Sequence, residues 1–224
     1  MGCMAQAKRF PGESTEYRTA RDALLQEEVE LRRQVERVAE QRRALPVGGA
    51  VDDYVFHGVD GEVRLADLFA PGQQTLILYN FMYGPEMDAA CPMCTSFLDG
   101  LNGNARHITQ QVGLAVVAKS PLPRILEYAE GRGWDGLTMV SSADNMFNRD
   151  YHGEDEHGDQ ESIIHVFAKD VDGEVRHRYS SELIFVPGDP GQDTRHIDAG
   201  WPLWNILDLT PTGRGSAWYP RREY

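Results

Sequence analysis

The pattern of apolar and polar positions divides the chain into parts with different periods. From Ser14 to about Leu45 nearly all residues favour or tolerate helix, and apolar side chains return every seven residues. Ser14 or Thr15 can cap this helix at its start, and Pro46 with Gly48 and Gly49 ends it. Beyond it, short apolar runs alternate with Gly and Pro, as is typical of strands and helices in a packed domain. The pattern predicts an N-terminal helical arm (1–48), a domain (49–210) and a C-terminal tail (211–224).

The apolar stripe of the arm is narrow. Its members are Tyr17, Leu24, Leu31, Val38 and Leu45. The positions between them are only partly apolar, so a complete coiled-coil seam is absent. A long helix with one apolar stripe must bury it somewhere. The stripe can be buried in two ways: the helix packs on its own domain, or it is an arm exchanged between the subunits of a homodimer.

Two apolar runs form the centre of the predicted domain. Thr75–Phe81 is apolar on both faces and is followed by a helix to about Gln111, and Gly113–Ala118 is a second buried strand. Strand, helix and strand form a right-handed parallel crossover. The other predicted elements are a strand–turn–strand at 51–65, a helix at 124–130, a short edge strand at 137–141, a polar surface loop at 144–161, a hairpin at 163–179 and a last helix at 201–209.

The order of these elements predicts the fold class. From Thr75 onward the chain runs strand, helix, strand, helix, hairpin, helix. A parallel half followed by an antiparallel half is the thioredoxin-like topology. We therefore expect an α/β protein, a thioredoxin-like three-layer α/β/α domain with a mixed central sheet, preceded by the long N-terminal helix.

A Cys-x-x-Cys pair lies between the first buried strand and its helix. Cys91 would occupy the helix N-terminus, where the dipole and free N–H groups lower the pKa of a thiol. Pro92 suits the first helical position, and Cys94 lies one turn further. We expect Cys91 to attack and Cys94 to resolve a mixed disulfide. Glu86 and Asp88 would raise the pKa again. The alternative is two reduced cysteines that only cap and pack.

Charge and composition exclude several classes of partner. The formal net charge is −13, which argues against a nucleic-acid backbone or an anionic membrane surface. No apolar run approaches the roughly 20 residues that a membrane span requires. The N-terminus lacks an apolar signal segment, so the expected compartment is the cytoplasm. There, a close cysteine pair is more often catalytic or metal-binding than structural.

Other chemistry-bearing residues give weaker signals. A single Cys-x-x-Cys is only half a zinc site, and His152 and His157 lie in an acidic loop that is more simply solvated. We therefore expect no metal, and the absence of phosphate-binding or dinucleotide glycine patterns predicts no cofactor. His165 is expected to be a hydrogen-bonded strand residue. Arg214, between two glycines of the tail, is a candidate contact to a partner subunit or an anion.

Two resemblances follow from these motifs. The segment from Val51 to Phe81, with Asp60–Phe69, resembles the opening of peroxiredoxin-type thioredoxin-fold proteins. Nearly the whole chain is similar to a bacterial thioredoxin-like family of unknown function. The stretches that carry this second resemblance are 20–46, Phe81–Pro85 leading into Cys91–Cys94, and 207–215.

The chain departs from known patterns at two places. Peroxiredoxins carry Pro-x-x-x-Thr/Ser-x-x-Cys, whereas Pro85 lies six residues before Cys91 and Asp88 replaces the Thr or Ser. Thioredoxins carry a cis-proline before the hairpin, where this chain has 159–162 without proline. Direct peroxidase chemistry and a thioredoxin-style substrate clamp are therefore less favoured.

The sequence favours a thiol–disulfide oxidoreductase or a related thiol antioxidant protein. Its expected partners are a disulfide or peroxide substrate and a reducing partner. Two alternatives remain: a non-catalytic thioredoxin-fold module for binding or assembly, and a peroxiredoxin-like peroxidase.

Overall fold

The computed structural model describes residues 8–190, 200–213 and 218–224. The chain forms two compact units, Met1–Pro46 and Val47–Tyr224. Cys3 and the candidate residue Arg214 lie outside the described residues.

The first unit contains helix α1, Thr15–Arg43. The Ser14 side chain accepts a hydrogen bond from the Tyr17 N–H at 3.0 Å, so Ser14, one of the two predicted caps, is the N-cap. Two members of the predicted stripe, Leu24 and Leu31, are 52% and 64% exposed. The helix itself is confirmed, and what covers its stripe stays a prediction.

The second unit is built on one mixed sheet of seven strands. They are β1 (Val55–Gly58), β2 (Gly61–Arg64), β3 (Thr75–Asn80), β4 (Gly113–Ala118), β5 (Thr138–Ser141), β6 (Ile163–Lys169) and β7 (Val175–Ser180). Their order across the sheet is β2-β1-β5-β4-β3-β6-β7. β3, β4 and β5 are parallel, whereas β6 pairs antiparallel with β3 and β7 antiparallel with β6. The predicted crossover and hairpin are confirmed.

The prediction that 137–141 forms an edge strand is wrong. β5 pairs with β4 on one side and with β1 on the other, where His57 lies opposite Ser141. The β1–β2 hairpin therefore forms this edge of the sheet. The paired residues are more than 80 positions apart, so the local sequence pattern of neither strand predicts this pairing.

Helical elements cover both faces of the sheet, and the layer on one face is thicker than the layer on the other. One face packs against α2 (Pro92–Ile108), α3 (Leu122–Arg132) and α5 (Pro202–Leu207). The other is covered by the 3₁₀ turn Leu65–Asp67 with the residues after it and by the short helix α4 (Phe147–Asp150). Trp201 and Trp204 are buried on the first face. The unit is a thioredoxin-like three-layer α/β/α domain.

The predicted polar surface loop at 144–161 is only partly exposed. It contains α4, and Phe147 within α4 is completely buried. The Phe147 ring stacks on Tyr151 with centroids 4.9 Å apart and meets His165 edge-on. Asn148, also buried, accepts a hydrogen bond from Ser142 at 2.7 Å. One aromatic residue in an acidic stretch is enough to fix the loop to the sheet.

His165 is a hydrogen-bonded strand residue, as predicted, and the structure places it in the core. Its Nδ1 lies 2.7 Å from the Ser180 hydroxyl, and only 1% of the residue is exposed. Burial, followed by the neighbouring His177 and His152, lowers the pKa of His165 to about 3. This histidine is therefore neutral at physiological pH. It lies on the face of the sheet opposite α2.

Candidate redox site

The cysteine pair lies at the start of α2, after the loop that follows β3. Cys91 is the N-cap of α2, and its sulfur accepts a hydrogen bond from the Cys94 N–H at 3.5 Å. Pro92 occupies the first helical turn, where its missing N–H costs nothing. Cys91 is half-buried, Cys94 is buried, and both are free thiols. The predicted helix start at this pair is confirmed.

The pKa of the Cys91 thiol is lowered, whereas the pKa of the Cys94 thiol is raised. A hydrogen bond from the Cys94 side chain, followed by the N–H groups of Cys94 and Met93, lowers the pKa of Cys91 to about 6 against the opposing effect of burial. Burial, and then the contact with Cys91, raises the pKa of the Cys94 thiol well above its usual value. Glu86 and Asp88 are not among the groups that shift the Cys91 pKa. The resting pair is therefore a thiolate at Cys91 held by a protonated Cys94.

Cys91 is expected to react as a thiolate at neutral pH. Its alkylation rate should rise with pH to half-maximum near 6 rather than 9.0, because the thiolate forms as pH passes the lowered pKa. Cys94→Ala removes the largest stabilising contact and should move this midpoint upward. Iodoacetamide alkylation followed by mass analysis measures both profiles in a Cys3→Ala background. A wild-type midpoint near the ordinary thiol pKa would contradict the lowered value.

The loop between β3 and the cysteines is held by Arg124 of α3. Its guanidinium donates to the carbonyls of Gly84 at 3.2 Å, Pro85 at 3.3 Å and Met87, and lies 4.4 Å from the centre of the Tyr83 ring. The Cys91 N–H donates to the Met82 carbonyl at 3.1 Å and closes the loop. These bonds hold the loop next to Cys91 in place, and none of them involves the Cys91 sulfur.

The first turn of α2 is anchored by hydroxyl groups. The Thr95 hydroxyl bonds the Cys91 carbonyl at 2.9 Å and lies 2.8 Å from the hydroxyl of Tyr128. Thr95 is completely buried, so these bonds are shielded from water. They hold the backbone of Cys91 at the helix start.

A groove of about 1000 Å³ lies beside the first turn of α2 and is lined there by Pro92, the residue that follows Cys91. Asp88 and Pro92 line it at the cysteine end, and Arg221 and Arg222 of the tail line it as well. Arg132 donates to the Arg222 carbonyl at 2.8 Å and so holds the tail against α3.

Sequence reasoning missed Tyr79 and Arg124. Tyr79 on β3 faces α2, and its hydroxyl is buried beside Cys94. A tyrosine inside an apolar strand signals a buried hydroxyl that needs a polar neighbour. Arg124 had no comparable signal, because its carbonyl partners lie about 40 residues earlier in the chain.

Neither metal nor membrane binding gains support from the described ranges. Within them, no three His, Cys, Asp or Glu side chains are grouped so that they could hold a metal ion. His157 contacts Glu156 at 3.4 Å on the exposed loop, and His152 has a positive φ of 56°. No helix in the described part of the chain is both long and apolar enough to cross a bilayer.

The topology and the position of the dithiol define the class: this is a protein of the thioredoxin-like α/β fold. The chain belongs to the family described as "Bacterial protein of unknown function (DUF899)", whose model matches residues 7–224. A comparison with curated proteins gives no match.

Several solved structures are similar to this chain at low identity. A peroxiredoxin-like protein from Aquifex aeolicus is 18% identical, with 61% of this chain and 75% of that chain covered and a TM-score of 0.42. Reduced Prx3 from Vibrio vulnificus is 11% identical, with 71% and 97% covered and a TM-score of 0.45. The exposed lipoprotein thioredoxin Etrx1 from Streptococcus pneumoniae is 14% identical, with 68% and 99% covered and a TM-score of 0.42.

Proposed function

We propose that the protein is a thiol–disulfide oxidoreductase that uses Cys91 and Cys94. The observation that carries the proposal is the pairing of a half-buried sulfur of lowered pKa with a buried, protonated thiol one helical turn away. A structural pair of cysteines needs no such difference in acidity. A nucleophile and a resolving thiol do.

The reaction follows from these two states. The Cys91 thiolate attacks one sulfur of a disulfide substrate, forms a mixed disulfide and releases the first substrate thiolate. Cys94 then loses its proton and attacks the Cys91 sulfur, which releases the second substrate thiolate and leaves a Cys91–Cys94 disulfide. A reducing partner returns the pair to the dithiol. The cycle needs neither metal nor organic cofactor.

The dithiol is expected to oxidise reversibly as a pair. Mild oxidation of the purified protein should remove two hydrogen atoms, about 2 Da, from the peptide that carries Cys91 and Cys94, and dithiothreitol should restore them. Intact-mass and peptide-mass analysis measure both steps. A Cys94→Ser variant is the matched control and should form only mixed disulfides. If the wild-type pair never loses two hydrogens, this function is wrong.

A non-catalytic assembly module is the second candidate. The exposed apolar repeat on α1, with Leu24, Leu31 and Val35, favours it, because such a stripe suits a second helix. A homodimer through α1 would bury this stripe and is compatible with either function. Loss of disulfide turnover on removal of Cys91 separates the catalytic role from a purely structural one. Peroxidase activity would instead appear as oxidation of Cys91 by low concentrations of peroxide.

A further inference from the structure

The hydroxyl of Tyr79 is a buried polar group beside the dithiol. Only 1% of Tyr79 is exposed, and its hydroxyl makes no hydrogen bond of normal geometry with a described residue. Its ring packs on Phe97 of α2 with centroids 4.7 Å apart. The polar side chains that interact with its hydroxyl are those of Cys94 and Ser162.

The sulfur of Cys94 is the group this hydroxyl can reach. Tyr79 and Cys94 share one apolar cluster on the same face of the sheet, and each acts on the other as a hydrogen-bond neighbour. Burial beside Cys94 raises the pKa of Tyr79 well above its usual value, so the phenol keeps its proton. It can therefore donate a hydrogen bond and cannot act as a base.

We propose that the Tyr79 hydroxyl donates a hydrogen bond to the Cys94 sulfur when that sulfur becomes a thiolate in the resolving step. This inference rests on the proposed function and assigns a residue to its second half-reaction.

The resolving step is where such a donor matters. In the resting pair, Cys94 gives its own proton to a hydrogen bond with the Cys91 thiolate. Once Cys91 is bonded to substrate, the Cys91 sulfur no longer carries a negative charge that holds the Cys94 proton. Burial still opposes a negative charge on Cys94. The contacts that favour the Cys94 thiolate are the Tyr79 hydroxyl and the backbone of Met82. The Cys94 proton leaves with the departing substrate thiolate or with water, and Tyr79 retains its own.

A single-turnover reaction with dithionitrobenzoate, an aromatic disulfide, separates the two steps. Cys91 releases the first coloured thiolate and Cys94 the second, so absorbance reports two phases in a Cys3→Ala background. Tyr79→Phe is expected to keep the rate of the first phase within about twofold of the wild-type rate. It should slow the second about tenfold at neutral pH and move its pH profile upward by about one unit, because a hydrogen bond to a charged sulfur is lost.

Tyr151→Phe is the matched control. It makes the same change on the opposite face of the sheet, where Tyr151 stacks on Phe147, and should alter neither phase. A Tyr79→Phe variant with an unchanged second phase and pH profile overturns the proposal and leaves the dithiol function standing. Equal slowing of both phases also overturns it, because that result marks Tyr79 as general support. A wild-type protein that releases a single thiolate overturns the dithiol function itself.

A second measurement needs no substitution at Tyr79. Wild-type protein grown with 3-fluorotyrosine carries a more acidic phenol, which is a stronger hydrogen-bond donor. The second phase is then expected to accelerate relative to the first. If Tyr79→Phe does not fold, an unaltered ratio of the two phases in the fluorinated protein overturns the proposal.

Discussion

Cys91→Ser is expected to abolish disulfide turnover. The hydroxyl of serine does not ionise at neutral pH, whereas the pKa of Cys91 is lowered to about 6, so the variant loses the nucleophile. We expect a fall on the order of a thousandfold or more, to the uncatalysed rate. Reduction of a small disulfide in the presence of dithiothreitol, followed over time, measures it.

Two further variants make this result specific. Cys94→Ser keeps the nucleophile and should trap a mixed disulfide at Cys91 after a single turnover. Cys3→Ser should retain full activity. Turnover that survives in Cys91→Ser would exclude the dithiol mechanism and leave the assembly role as the better account of the protein.

Gly153→Ala is expected to cause the largest loss of stability among glycine substitutions in the described core. A Cβ at this position would lie 1.5 Å from the side-chain nitrogen of Asn80, at the end of β3. Asn80 is completely buried, so its amide has no free space to move into. We expect a cost of about 3 kcal/mol and a fall in Tm of about 6–12 °C. Thermal unfolding followed by circular dichroism measures both.

Gly100→Ala is the matched control for this substitution. Gly100 lies inside α2 with no atom within 4 Å of the added methyl group. Alanine should therefore stabilise the helix by about 0.5–1 kcal/mol. The double variant Asn80→Ala with Gly153→Ala should recover part of the lost stability, because the methyl group then has room. A wild-type Tm for Gly153→Ala alone would contradict the close packing.

Local sequence was sufficient for the elements around the dithiol. The continuous apolar run in Thr75–Phe81, the cysteine spacing and the proline at the first helical turn are short-range signals, and β3 and α2 formed at those places. The β6–β7 hairpin, predicted at 163–179, also formed, and Gly173 between its strands has a positive φ of 82°. Such signals suffice because each depends on the conformational preference of a few neighbouring residues.

Contacts between distant segments could not be predicted in this way. The interior place of β5, the burial of Phe147 and the hold of Arg124 on the dithiol loop each join segments whose local patterns carry no sign of the partner. The main cause of the lowered Cys91 pKa is a similar case. The nearby carboxylates, Glu86 and Asp88, suggested an opposing effect, but the thiol of Cys94 dominates. Packing decided which of these neighbours acts on the sulfur.

By itself, the sequence determined the α1 helix, the thioredoxin-like order of elements and the position of Cys91 and Cys94 at a helix start. Only the tertiary structure decided that the Cys94 thiol is the main cause of the lowered Cys91 pKa, that Cys94 is buried, and that Tyr79 lies beside it. The physical reason is that helix starts and strand periods depend on neighbours along the chain. Burial and hydrogen bonding, which set the reactivity of a sulfur, depend on neighbours in space.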